Sequence, residues 1–145
     1  MKENYIKIIE FILQHEGYKS NDPDDSGGLT IWGISAKSHP IEVKEMALIS
    51  KEEAKKIAIN IYKKEYWDEI EGDNIPDKLD WVIMDTAVVQ GTYRANVMFN
   101  LYLDNWRDAL FHRIAEFILV SKKGNNIKYL RGWINRCLEL WEILR

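Results

Sequence analysis

A chain of 145 residues, 46% hydrophobic and 30% charged, has the composition of a soluble globular unit, which excludes disordered and fibrous classes. Such a chain buries about two thirds of the surface its unfolded form exposes, so neither metal nor disulfide is needed to hold it, and the single Cys137 forms no internal disulfide. A formal net charge of -3 with both signs interspersed argues against nucleic acid as a partner, and no apolar run approaches the roughly 20 residues that cross a bilayer.

Lys2, Glu3 and Asn4 open the chain, and charges interrupt the apolar residues that follow, so no secretory signal is expected there. Helical spacing over 4–15 puts Tyr5, Ile6, Ile9, Ile12 and Leu13 on one face, opposite Glu3, Lys7, Glu10 and Gln14. On that projection Glu16 falls within about 40° of Tyr5, Ile9 and Ile12, at the centre of the apolar face. A carboxyl at a helix end, between a core and a polar loop, is expected to be partly desolvated, which favours the neutral form that a general acid needs. The competing reading is a structural glutamate paired with an arginine or lysine.

Residues 17–28 are rich in turn formers, and neither helix nor long strand is expected there. Within this segment Asp22, Asp24 and Asp25 follow Glu16, and Thr30 lies just beyond. Glycoside cleavage uses two carboxyl groups, and the order Glu16, Asp25, Thr30 suits a glutamate on a rigid helix end facing an aspartate on an adjoining loop. Aspartates that merely cap backbone amides are the alternative. Asp22, Asp24 and Ser26-Gly27 also look like half of a calcium loop, but its twelfth position is Gly33 rather than a bidentate glutamate, and the three histidines are too scattered for zinc. No metal and no cofactor are expected.

Residues 29–34 suit a short strand. A helix is expected from Ser50, whose capping box with Glu53 precedes Ala54, Ile57, Ala58 and Ile61, and it should run to Trp67. After a loop at 71–76, residues 77–90 are apolar nearly all round, as in a central buried helix, with Gly91 as its stop. Two or three helices remain, over 92–104, 106–122 and 126–145, with Gly124-Asn125 as the last break. Asp85, among Trp81, Val82 and Val89, must be paired or hydrogen-bonded if buried; it either lines a cleft floor or ties a loop to the core. Aromatic rings suit a sugar cleft, and Tyr18, Trp32, Tyr66 and Trp67 are the candidates, each with core packing as its alternative.

The run His15-Glu16-Gly17-Tyr18 with Asn21-Asp22-Pro23-Asp24-Asp25-Ser26-Gly27-Gly28-Leu29-Thr30-Ile31-Trp32-Gly33-Ile34 resembles the signature of glycoside hydrolase family 108, a family of phage endolysins and secretion-associated muramidases. The resemblance continues through Tyr66-Trp67, Met84-Asp85-Thr86-Ala87-Val88 with Gly91, and Arg131-Gly132-Trp133-Ile134-Asn135-Arg136. It implies a mainly α, lysozyme-like single domain over 1–145, with one irregular catalytic loop and at most a very short β element. It also implies hydrolysis of the β-1,4 bond between N-acetylmuramic acid and N-acetylglucosamine. Glu16 matches the family's catalytic glutamate. Three departures stand out: Gly17-Tyr18-Lys19 replaces a common Gly-Gly-Tyr, Val89 stands where an asparagine is usual, and the peptidoglycan-binding-like part over about 92–145 is shortened.

The combined expectation is a muramidase with Glu16 as acid, Asp25 or, second to it, Asp22 as the other carboxyl, and Thr30 placing water. Tyr18, Asp22, Trp32, Tyr66, Trp67 and Asp85 are expected to contact the glycan. The protein should be a monomer acting on peptidoglycan strands, made in the cytoplasm and reaching the wall through a holin or export system. The alternative is a non-catalytic wall-binding or secretion-accessory protein on the same fold.

Overall fold

The computed structural model describes residues 2–21 and 27–145. Among them are seven α-helices and one small antiparallel sheet: α1 (Lys2–Glu16), β1 (Lys19–Ser20), β2 (Thr30–Ile31), β3 (Ile34–Ser35), α2 (Pro40–Met46), α3 (Lys51–Tyr62), α4 (Leu79–Gln90), α5 (Thr92–Tyr102), α6 (Trp106–Ser121) and α7 (Ile127–Leu144). This is the mainly α architecture expected from the helical periodicities.

The face of α1 that meets the core is Tyr5, Ile8, Ile9, Phe11, Ile12 and Leu13, all buried. Ile6, assigned to that face from the spacing, is 51% exposed instead, because the buried arc is centred between Ile8 and Ile12. Helix α3 begins with the capping box read from sequence: the Ser50 hydroxyl accepts from the Glu53 amide, and the Glu53 carboxylate accepts from the Ser50 amide. The helix gives way to a π-helical turn over Lys63–Trp67, and a 3₁₀ turn follows at Gly72–Asn74. There Gly72 packs flat on the Trp67 indole, where any Cβ would overlap the ring.

Helix α4 is the axis of the fold, in contact with α1, α5, α6 and the π turn. Its run Val82 to Ala87 is buried without a break, which explains its all-round apolar sequence. It stops at Gly91, whose φ of 96° favours glycine, and α5 starts at once. Helices α6 and α7 then pack on each other and close the core. Helix α2 has no counterpart in the sequence reading. Its signals are Pro40 in the first turn and the buried pair Val43 and Met46, three residues apart.

The expected single strand at 29–34 is a hairpin. Ile31 faces Ile34 across a two-residue turn made by Trp32 and Gly33, with φ of 50° and 79°. Two positive φ values in succession define the tight turn that suits the twist of antiparallel strands. A tryptophan there is uncommon and has to be held. Its amide donates to the Tyr18 carbonyl at 2.7 Å, its indole N–H to the Lys51 carbonyl at 3.3 Å, and its carbonyl accepts from the Tyr62 hydroxyl at 3.1 Å.

Candidate active site

Helix α1 ends at Glu16, and Gly17 (φ 75°) turns the chain away. The Glu16 side chain remains 28% exposed, so one side of the carboxyl stays open to solvent. A carboxylate at a helix C-terminus sits against the negative end of the helix dipole. The counter-charge comes from Arg136 on α7, whose Nη1 lies 3.1 Å from Glu16 Oε1. Glu16 thus has the arginine partner of the structural reading together with the open position a catalytic carboxyl requires.

Arg136 does not end there. Its Nε and Nη2 donate to Asp85 Oδ1 at 2.9 and 2.6 Å, and the other Asp85 oxygen accepts from Arg113 Nη1 on α6 at 2.7 Å. Asp85 and Arg113 are wholly buried, and the Arg136 side chain is 11% exposed. Two carboxylates and two guanidiniums therefore run from the core to the surface in the order Arg113, Asp85, Arg136, Glu16. Burial alone would push the Asp85 carboxyl up, but Arg113 and Arg136 outweigh it and hold it below the ordinary aspartate range. For Arg136, burial works against its charge, and Asp85 and then Glu16 overcome that and strengthen it.

The hairpin turn and α3 form the opposite wall. Gly33 abuts Glu16: a Cβ there would lie 2.9 Å from the Glu16 Cγ and would overlap the Tyr62 hydroxyl. Tyr62 is buried, and its hydroxyl is pushed up first by burial and then by the Glu16 charge. The half-buried Tyr66 stacks on Tyr62, ring centroids 5.5 Å apart, and its hydroxyl is likewise raised by burial, Glu65 and Glu16.

Among the described residues the expected site residues separate into three groups. Glu16 and Tyr66 lie together, and Thr30 is two residues before the turn on which Glu16 rests, its hydroxyl donating to the Gly28 carbonyl at 3.4 Å. Tyr18 and Trp32 pack on each other at 5.4 Å, but the Lys51 ammonium lies over both rings, at 5.4 Å from each centroid, and Lys55 covers Trp32 as well. Trp32, 8% exposed, therefore serves the turn more than a sugar face. Trp67 and Asp85, expected to contact the glycan, are buried instead, at 1% and 0% exposure, and their observed contacts are with the protein itself. Trp67 fills the core against Tyr5 and Gly72, and Asp85 ties helices α4, α6 and α7 together rather than a loop to the core. Asp22 and Asp25 lie outside the described residues, as does most of the calcium-like stretch.

Arg136, Arg113, Tyr62 and Gly33 were not singled out from sequence. Arg136 stood in the C-terminal motif without a role, and the burial argument for Asp85 demanded a partner without naming one. Tyr62 carried no signal at all.

Comparison with known proteins places this geometry. The family described as glycosyl hydrolase 108 matches residues 9–91, a span that holds Glu16, Gly33, Tyr62 and Asp85 and stops short of Arg113 and Arg136. No curated protein sequence matches the chain. A solved structure, "Structure of Brucella abortus SagA", is similar with a TM-score of 0.71 and 22% identity, over 97% of this chain and 92% of that one, which shows a shared fold. With more than half of its length matched, and with the open glutamate of α1 inside the match, the chain belongs to glycosyl hydrolase family 108, and that membership supports a peptidoglycan hydrolase.

Proposed function

We propose that this protein is an N-acetylmuramidase that hydrolyses the β-1,4 bond between N-acetylmuramic acid and N-acetylglucosamine. The observation that carries the reading is the half-open Glu16 carboxyl at the end of α1, inside the family match and anchored from behind by Arg136. In this reaction Glu16 hands its proton to the bridging oxygen as the bond to the sugar C1 breaks. A second carboxyl, assigned to Asp25 and second to it Asp22, activates water or stabilises the oxocarbenium-like transition state. Thr30 helps to place that water, and Tyr18 and Tyr66 offer rings to the glycan. The hydroxyl of water joins C1, and its remaining proton restores the Glu16 carboxyl, so the site turns over without a cofactor.

Digestion of purified peptidoglycan, followed by borohydride reduction of the new ends, tests the reading. N-acetylmuramitol is the expected product, and it should be absent with Glu16→Gln. N-acetylglucosaminitol would move the cleavage to the other glycosidic bond. No new reducing ends, together with retention on the wall, would favour the non-catalytic wall-binding alternative.

Access to the wall belongs to the same proposal. Among the described residues no helix is long and apolar enough to cross a membrane. Expression in a Gram-negative host should leave culture turbidity steady until the inner membrane is permeabilised, as a holin or export system would do. Lysis without permeabilisation would show that the protein needs no such route.

A further inference from the structure

The ion network is larger than a fold needs. A buried carboxylate requires a partner, and Arg113 already supplies one to Asp85 in full burial. Every further buried charge costs desolvation, and buried ion pairs are often no better for stability than apolar packing. Yet a second guanidinium is drawn in, spends two of its donors on the same Asp85 oxygen, and points its third at the one member of the chain that faces solvent.

We propose that Arg136 is a positioning residue for Glu16: held by Asp85 and Arg113, it fixes the orientation of the Glu16 carboxyl and balances the negative charge left there when the proton passes to the leaving sugar. The proposal rests on the reading of Glu16 as the general acid. The fork shape of the guanidinium is what makes the geometry possible, since one planar group reaches both carboxyls at once, where an ammonium offers a single point charge. The ordering is also directional. Asp85 has no exposed surface and Arg136 almost none, so their mutual position is set by helix packing, and Glu16 is the only partner with freedom to adjust.

The charged and titratable groups that the structure places against this pair are few among the described residues. Glu16 is faced by Arg136 from α7, Tyr62 from α3 and Tyr66 from the π turn. Arg136 is faced by Asp85 from α4, by Glu16, by Tyr62, and by its neighbour Cys137. Removing the Arg136 guanidinium takes away the one side-chain hydrogen bond that holds the Glu16 carboxyl among the described residues.

The test is kinetic, on solubilised glycan strands, with the intact protein. Arg136→Gln should lower kcat by about 100-fold, the order expected when a reacting group loses its alignment, with KM of unchanged order. Arg136→Lys should also keep kcat depressed at unchanged KM, since the ammonium cannot span both carboxyls. Should Arg136→Gln fail to fold, Arg136→Lys decides alone: a depressed kcat at parent KM supports the proposal, and parent kcat overturns it. Parent-like kcat in a folded Arg136→Gln of lowered Tm would likewise overturn it, leaving a structural role. Glu16→Gln, run alongside, separates the two levels: if it still cleaves, the acid assignment falls and the proposal with it, whereas an inactive Glu16→Gln beside an unaffected Arg136→Gln overturns the proposal alone.

Discussion

Gly33 and Glu16 are in direct contact across the site: a Cβ on Gly33 would stand 2.9 Å from the Glu16 Cγ, closer than real Cβ atoms come to their neighbours. Gly33 also has a φ of 79°, which an alanine adopts only with strain. Gly33→Ala should therefore displace Glu16 and Tyr62 together. The expected result is loss of most lytic activity and a destabilisation of about 1–3 kcal/mol, the range for held backbone strain and overpacking. Turbidity assays and urea unfolding measure the two effects, and a fully active variant would show that the turn does not support the glutamate.

Glu16→Gln tests the acid itself. The amide has nearly the same shape and cannot donate the proton, so cleavage should fall by at least about 100-fold, the lower end of general acid catalysis. The Glu16 side of the Arg136 contact is 28% exposed, and Arg136 keeps Asp85 as its charged partner when Glu16 becomes an amide. Circular dichroism should accordingly show an intact fold and a melting temperature close to the parent.

The loop carboxylates are told apart by paired variants. Asp25→Asn should reduce activity more than Asp24→Asn, because only the former has the spacing assigned to the second carboxyl. Equal losses, or loss of activity on adding a chelator, would point to a turn or calcium role for the segment.

Trp67 and Tyr66 are neighbours in sequence with opposite expected phenotypes. Trp67 is core, so Trp67→Ala should cost about 3–5 kcal/mol in urea unfolding and leave KM per folded molecule unchanged. Tyr66 is half-buried beside Glu16, so Tyr66→Ala should raise KM with a smaller stability loss. A KM effect in Trp67→Ala alone would reverse the assignment.

Asp85 makes the fold sensitive to acid. Its folded-state pKa is depressed by Arg113 and Arg136 against the opposing effect of burial. Its contribution is thus complete above the unfolded value of about 3.9 and is lost as pH falls through the folded one. Glu53, lowered by its bonds to Ser50, acts in the same direction. Asp80 acts oppositely, because burial raises its pKa and protonation favours the folded state. In an Asp80→Asn background the urea midpoint should fall steadily below about pH 4. A flat midpoint through that range would mean that Asp85 is not a charged member of the network.

What the sequence determined by itself is local. The capping box at Ser50, the stop at Gly91, the apolar run of α4 and the break at Gly124 are all set by residues within a few positions of one another, and periodicity exposes them directly. Glu16 was legible for the same reason, since its place on α1 follows from counting residues. Helix α2 was missed because seven residues with one buried pair carry too short a period to read. The network behind Glu16 belongs to the tertiary structure alone. Arg113 and Arg136 lie 28 and 51 residues from Asp85, and Arg136 lies 120 from Glu16, so only the docking of α6 and α7 against α4 and the end of α1 could pair them. The same docking decided which aromatic rings stay near solvent and which fill the core, a choice made by burial against distant helices and invisible to spacing along the chain.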